Sequence, residues 1–493
     1  MLLSSTLSNK CSELDNSTIS TYRNYATSDF NKLSMLASLN TATSIISAVF
    51  KPPIAKLSGV LGRAEAYLFT ICCYIISYIL CAASKNFNTY AGGVVLYAIG
   101  QSGVTVLNAV LISGLTSMRW RAFSYNILYL PFLIVPWVSA FIIESVVNGI
   151  GGAGESGMFA ILMPVCASVI IITLAVFQSR ACQTGVLIKE HLNLYGFCSR
   201  IDLGGTILLS GGFALLLIPI TIAATTTSRW QTPWVDVLLA LGIVALLTHF
   251  LYEKYISNHP VVPTRYFRVP AIVASVCLAC IDNIGVGATH TYLYAWSTVS
   301  RGFLPRNAQF LVCTNGVMQS LTGMAIWLVI YRIRSYKWIL VGGAVVRLVG
   351  YGIMVRLRTN DSSIAELFIV QLVQGLGCGI IETIVIVASQ IVVPHVELAQ
   401  VTSLIMLSAF LGNGIGSAIA GGIYTDTLME RLRVRLGEEV SEGRLDKLYN
   451  SITGALPDWG TPERNAVNLA YSDVMGCVPS MQLLYSVRQP MHC

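Results

Sequence analysis

Charge is what this sequence has least of. Only 11% of its 493 residues are Asp, Glu, Lys or Arg, against about 25% in an ordinary soluble chain. A chain this long would need far more charge to hold a soluble surface. Recognisable chemistry is also missing. No His or Cys spacing resembles a zinc site. Cys277 and Cys280 form a CxxC, but inside an apolar stretch, where free cysteine packs as a small hydrophobe. No Walker lysine is present, so ATP is not expected to drive anything. GLGCG at 375–379 follows no strand and is no dinucleotide loop; five such residues suit close helix packing. No Ser–His–Asp order stands in a soluble domain. The expectation is therefore no enzyme, no resident metal and no cofactor. The net charge of +7 is spread through short loops rather than gathered in a basic domain, which argues against nucleic acid.

What fills the chain is apolar: 54% of residues are hydrophobic. A helical span needs roughly 20 apolar residues. Twelve candidates run near 34–57, 66–83, 91–116, 122–143, 157–178, 203–224, 234–252, 271–296, 308–331, 338–355, 364–392 and 398–424. Lys51-Pro52-Pro53 interrupts the first. The eleventh carries Glu366, Gln371, Gln374, Glu382 and Gln390, so one face must avoid lipid. An all-α, polytopic protein in a lipid bilayer follows. Alternate loops hold fourteen positive charges (among them Lys51, Lys56, Arg63, Arg119 and Arg121), while the other set holds six (Lys85, Arg229, Arg301, Arg306, Arg356 and Arg358). The richer set is assigned to the cytoplasm. The sequons at Asn16 and Asn360 fall on the opposite side. Both termini then lie outside, yet MLLSSTLSNK has no apolar core to direct export. One missing span at each end would resolve this.

Several stretches carry a family resemblance. PIAKLSGVLGRAE at 53–65 resembles the short cytoplasmic loop between the second and third spans of the major facilitator superfamily. Gly62 and Arg63 match, while Gly59 and Val60 stand where the pattern has Asp and Arg. YRNYATSDF (22–30), YAIGQSGVTVLNAVL (97–111), RYFRVPAIVASV (265–276), the stretch from VQGLGCGIIETIV to VELAQVTSL (373–404) and LYNSITGALPDWGTPERNAVNLAYSDVM (448–475) resemble the fourteen-span siderophore–iron transporters of fungi. The resemblance implies two pseudo-symmetric helical halves that rock about a central site. It places residues 34–178 in the first half and 271–424 in the second. Residues 179–270 form a cytoplasmic linker with two extra central spans. Residues 1–33 are expected to be an extracellular or lumenal segment, and residues 425–493 an external loop and an aberrant C-terminal tail. It also implies import of ferric siderophores of hydroxamate type in symport with protons, iron entering only as chelated substrate, and a chain acting as a monomer in the plasma membrane or an endosomal membrane. A drug–proton antiporter on the same scaffold and a transport-inactive membrane protein or sensor are the alternatives.

The polar residues inside spans are the candidate working parts. A charge at mid-membrane costs a few kcal/mol or more unless it meets a partner or water. Asp282 lies mid-span near Gly285 and Gly287, and His290 follows eight residues on. At 100° per residue that is about 80° around and 12 Å along, so both can border one lumen. Asp282, His290 and Glu382 are the candidates for proton coupling, against purely structural contacts. Arg347 in the preceding span is a candidate partner for Glu382 in a structural ion pair. Tyr292, Tyr294 and Trp296 could line a mouth or form an interfacial aromatic belt. Asn413 and Gln319 supply uncharged polar contacts suited to a neutral chelate. In the external segment, Tyr449, Trp459 and Tyr471 are candidates for substrate capture; the alternative is an ordinary solvated loop.

Overall fold

A computed structural model describes residues 2–115, 130–149, 194–223, 233–257 and 264–487, together with 168–169, 171–176, 179–180 and 260; positions 334, 361, 395–396, 438–439, 451 and 453–455 are set aside. The described chain is helical throughout. The first half supplies α1 (Leu2–Asp29), α2 (Leu36–Val60), α3 (Arg63–Ala82), α4 (Phe87–Leu115) and α5 (Val135–Gly149). A short helix α6 (Leu194–Ile201) leads to the pair α7 (Leu203–Ala223) and α8 (Pro233–Tyr255). The second half contains α9 (Pro270–His290), the short α10 (Leu293–Val299), α11 (Pro305–Ile333), α12 (Lys337–Leu357), α13 (Ile364–Ile391) and α14 (Leu398–Leu436). Helices α15 (Glu442–Asn450) and α16 (Pro462–Val487) follow.

Ten helical stretches among the described residues are long and apolar enough to cross a membrane. They match ten of the twelve expected spans. The expected span at 157–178 lies largely outside the described residues, and so does the first part of 122–143. In the described remainder of 122–143 a 3₁₀ turn at Leu130–Leu133 precedes α5, which starts at Val135. Pro131 and Pro136 account for the break, since neither can donate to a carbonyl in the preceding turn.

In the N-terminal segment α1 packs against α4 and α5, and Tyr22, Thr27 and Leu33 are buried. Its many hydroxyls satisfy themselves on their own helix, as where Thr27 donates to the Arg23 carbonyl at 2.7 Å, or reach across, as where Tyr97 donates to Asp15 Oδ2 at 2.7 Å. Lys51-Pro52-Pro53 does not end the first span, because α2 runs through both prolines. Burial of Ile45, Ala48, Val49 and Ile54 on either side holds the helix despite two absent donors. Lys51 is consequently not a loop cation but fully buried, its ammonium 3.9 Å from the centre of the Phe410 ring.

Two seams define the architecture. Helices α2 and α14 join the halves, with Ile45 and Val49 packed among Leu407 and Leu411. Inside the second half, α9 lies against α14 and α11 against α13 at backbone distance. A Cβ on Gly412 would sit 2.2 Å from the Cys280 carbonyl, and one on Gly379 would sit 2.4 Å from the Gln319 carbonyl. Small residues at such crossings let helices associate where lipid supplies no hydrophobic drive. Helix α14 has 39 residues. At 1.5 Å each it is about 58 Å long, well beyond the ~30 Å hydrocarbon core. Its C-terminal end leads on to α15 and α16.

Candidate functional site

The second half contains a polar tract built by α9, α12 and α13. Asp282 is buried, and Arg347 Nε donates to its Oδ1 at 2.8 Å. Arg347 Nη1 also donates to the Gln374 carbonyl at 2.9 Å and to Gln374 Oε1 at 2.5 Å, and its guanidinium lies 5.1 Å from the centre of the Tyr351 ring. Cys378 Sγ donates to Asp282 Oδ2 at 3.2 Å. The expected Arg347–Glu382 pair is thus not formed, and Asp282 takes that place. The reason is helical phase. Gln374, Cys378 and Ile381 share the face of α13 turned to α9 and α12, whereas Glu382 shares its stripe with Gly375 and Gly379, which press on α11.

Glu382 meets Gln319 there, whose Nε2 donates to its Oε2. Its surroundings are unusual. Ile381, Thr383, Ile384, Val385 and Ile386 are all buried, yet Glu382 is exposed. Among the described residues it forms no ion pair, and Gln319 is its hydrogen-bond partner. The two expected acids are in different situations: Asp282 is matched by a cation and sealed, while Glu382 is unmatched and open.

His290 does not join either acid. Its Nδ1 is 3.2 Å from the Val286 carbonyl and 3.1 Å from Thr289 Oγ1. It stands at the last turn of α9, where the helix breaks before α10. Arg358 closes this end, with Nη1 donating to the Thr289 carbonyl at 2.9 Å. A cation suits the negative end of a helix, and this explains why Arg358 is buried although the sequence places it in an outer loop.

The aromatic candidates close the outer end rather than line an open mouth. Tyr292, Tyr294 and Trp296 are all buried. Tyr292 stacks on Tyr424 with ring centres 4.0 Å apart and planes within 4°. Tyr424 also meets Tyr449 and Tyr471. Tyr294 Oη lies 3.0 Å from Tyr25 Oη across the boundary between halves. Beside it Thr21 donates to Gln309 Oε1, and Arg306 lies 3.4 Å from Glu144. Asn413 marks the middle of the seam, its Oδ1 accepting from Ser44 Oγ at 3.0 Å. Trp459 is the exposed member of the external group, covered on one side by the Arg464 guanidinium at 4.2 Å. Sequence reasoning passed over Tyr25, Thr21, Gln309, Arg358 and Cys378. Arg358 and Gln309 carried a signal, being polar residues at helix ends; the other three gave none.

Comparisons with known proteins now bear on this frame. No protein-family model matches the chain. It is 31% identical over 459 residues to siderophore iron transporter 1 of Schizosaccharomyces pombe, covering 93% of this chain and 75% of the relative. The chain belongs to the siderophore iron transporters of the major facilitator superfamily. A second relative in that yeast, a low affinity heme transporter, is 29% identical over 500 residues, covering 96% of this chain and 78% of its own. Among solved structures, the inward-facing, unoccupied bacterial homologue of the human lysosomal transporter Spinster superposes with a TM-score of 0.61 at 14% identity, covering 99% of this chain and 95% of its own. That likeness fixes the two-half helical fold. In this membrane transporter, Asp282, Glu382 and the tyrosines around Tyr424 stand on a two-half helical scaffold.

Proposed function

We propose that this transporter imports ferric siderophores and couples their entry to protons through Glu382. The observation that carries the coupling is the contrast between two acids of one half. Asp282 is paired with Arg347 at 2.8 Å. Glu382 has no ion-pair partner among the described residues and is exposed at its surface. A carboxylate in that position can take up and release a proton as the carrier alternates between sides, and neutralising it lowers the cost of moving its half through a low-dielectric state. Gln319 donates to either form and keeps the carboxyl oriented. Support for the cargo comes from the relatives. Uncharged amide and hydroxyl groups along the seam, Asn413, Ser44 and Thr41, suit a neutral hydroxamate chelate.

The test is uptake of labelled ferric hydroxamate in cells lacking other carriers, with heme as a second cargo and an uncoupler added in parallel. We expect accumulation of the hydroxamate that the uncoupler abolishes. Glu382→Gln should stop accumulation against a gradient while leaving exchange of cargo across the membrane. Accumulation indifferent to the uncoupler would refute symport, and uptake of heme alone would refute the cargo.

A further inference from the structure

We infer that α15 and Ile452 form a strap that fastens the outer ends of the two halves, and that it must let go of the first half before cargo can enter. This goes beyond the transport reading and rests on it only for the direction of entry. The segment between α14 and α16 leaves and returns to the second half. It is anchored there at many points. Tyr424 donates to the Tyr449 carbonyl at 3.1 Å, Tyr471 to the Leu448 carbonyl at 3.4 Å, and Arg464 Nη1 to the Pro457 carbonyl at 3.3 Å. Leu445, Leu448 and Tyr449 pack into the same cluster as Trp296 and Leu428.

Two further bonds run to the first half instead. Ser34 Oγ, just before α2, donates to Asn450 Oδ1 at 2.8 Å, and both residues are buried. The Ile452 amide donates to Ser28 Oγ, on the last turn of α1, at 3.2 Å. Asn450 is set for this role by its own helix: Asp446 Oδ1, one turn back, accepts from Asn450 Nδ2 at 2.9 Å and leaves the amide oxygen turned to Ser34. Asp446 is thus a positioning residue, exposed itself but fixing a buried contact. The strap also packs Leu445 and Leu448 in one apolar cluster with Tyr25, Leu33 and Leu36 of the first half, and its two hydrogen bonds to that half are neutral. Neutral bonds that exchange for water contribute only about 0.5–1.5 kcal/mol each. The strap is joined through its own chain to α14 and α16, so it stays with the second half and the joint parts at the first.

The experiment uses the full chain with S34C and N450C and a short bis-methanethiosulfonate cross-linker, which joins the two thiols through disulfides with loss of methanesulfinate and is reversed by a thiol reductant. A cargo-free readout comes from Cys313, buried one turn inward of Gln309 beneath the outer closure. Its labelling by an impermeant thiol reagent added outside is read by mass spectrometry. Cross-linked protein should show Cys313 labelling at background and no uptake, and reduction should restore both. Asp446→Ala and Ser34→Ala should each raise Cys313 labelling severalfold. Failure of the pair to cross-link, full uptake by cross-linked protein, or labelling unmoved by both single variants would overturn the strap. Labelling that responds as expected in protein that takes up no chelate would support the strap and count against the transport reading alone.

Discussion

Asp282 and Glu382 stand out in the sequence for the same reason, a carboxyl in an apolar run, yet their surroundings separate them. Which acid Arg347 would choose was not legible. Both lie within reach in sequence terms, and the decision depends on the phase of α13 against α9, α11 and α12, which a single chain does not reveal. The consequence is measurable. Asp282→Asn leaves the Arg347 guanidinium buried without its counter-ion. Breaking a buried pair from one side costs about 3–5 kcal/mol. The variant should melt far below the parent in detergent. Removing both charges, Asp282→Asn with Arg347→Met, should recover most of that loss, since an apolar chain of similar size leaves no stranded charge. Glu382→Gln should leave the melting temperature near the parent value, because Gln319 can bond an amide as well as a carboxylate. Equal melting of the Asp282→Asn single and double variants would show that the 2.8 Å contact is not what holds α9 to α12.

Elements were read from the sequence more fully than contacts. Ten spans follow from apolar runs of sufficient length, and α13 begins at a capping box, Ser363 accepting from the Glu366 amide while Glu366 accepts from Ser363. The misses have physical causes. Helix α1 is too polar to register as a buried helix, and α2 continues through two prolines because packing on both sides outweighs two lost bonds. The crossing of α9 and α14 shows what holds the elements in place. A Cβ on Gly416 would lie 2.2 Å from the Ile284 carbonyl and 2.7 Å from the Ala288 nitrogen. Those are backbone atoms of α9 and cannot step aside. Gly416→Val should therefore wedge the helices apart and destabilise the protein by about 1–3 kcal/mol or more. Gly422, on the same helix, has open space around its Cβ position. Gly422→Ala should be neutral or slightly stabilising, as expected where the helix loses only a flexible residue. Thermal unfolding of the two variants side by side checks the pair, and similar losses would mean that α14 does not pack on α9 through Gly416.

At the scale of the molecule the seam between halves changes character along its length. Past the Ser44–Asn413 contact its inner part is apolar, Ile45 and Val49 against Leu407 and Leu411, with Lys51 over Phe410. At the outer end hydroxyls and amides join it, Tyr25 with Tyr294, Thr21 with Gln309 and Ser34 with Asn450, beside the Arg306–Glu144 ion pair. Groups of this kind trade one partner for water at small net cost, so the outer end is the one suited to open and close. Where a carrier is closed at this end, cargo arriving there binds only the fraction of molecules that have opened. Its apparent affinity is weakened by that fraction. Tyr25→Phe removes the Tyr25–Tyr294 bond and keeps the ring, whose edge-on contact with Tyr294 is at 5.9 Å. A loss of about 1 kcal/mol from the closed state raises the open fraction about fivefold where that fraction is small. The apparent KM for external chelate should fall by a similar factor. The maximal rate should not rise, because the same variant must still close before it can release cargo inside. An unchanged KM, with the protein folded and at the membrane, would mean that the outer hydroxyl pair does not set the balance between open and closed.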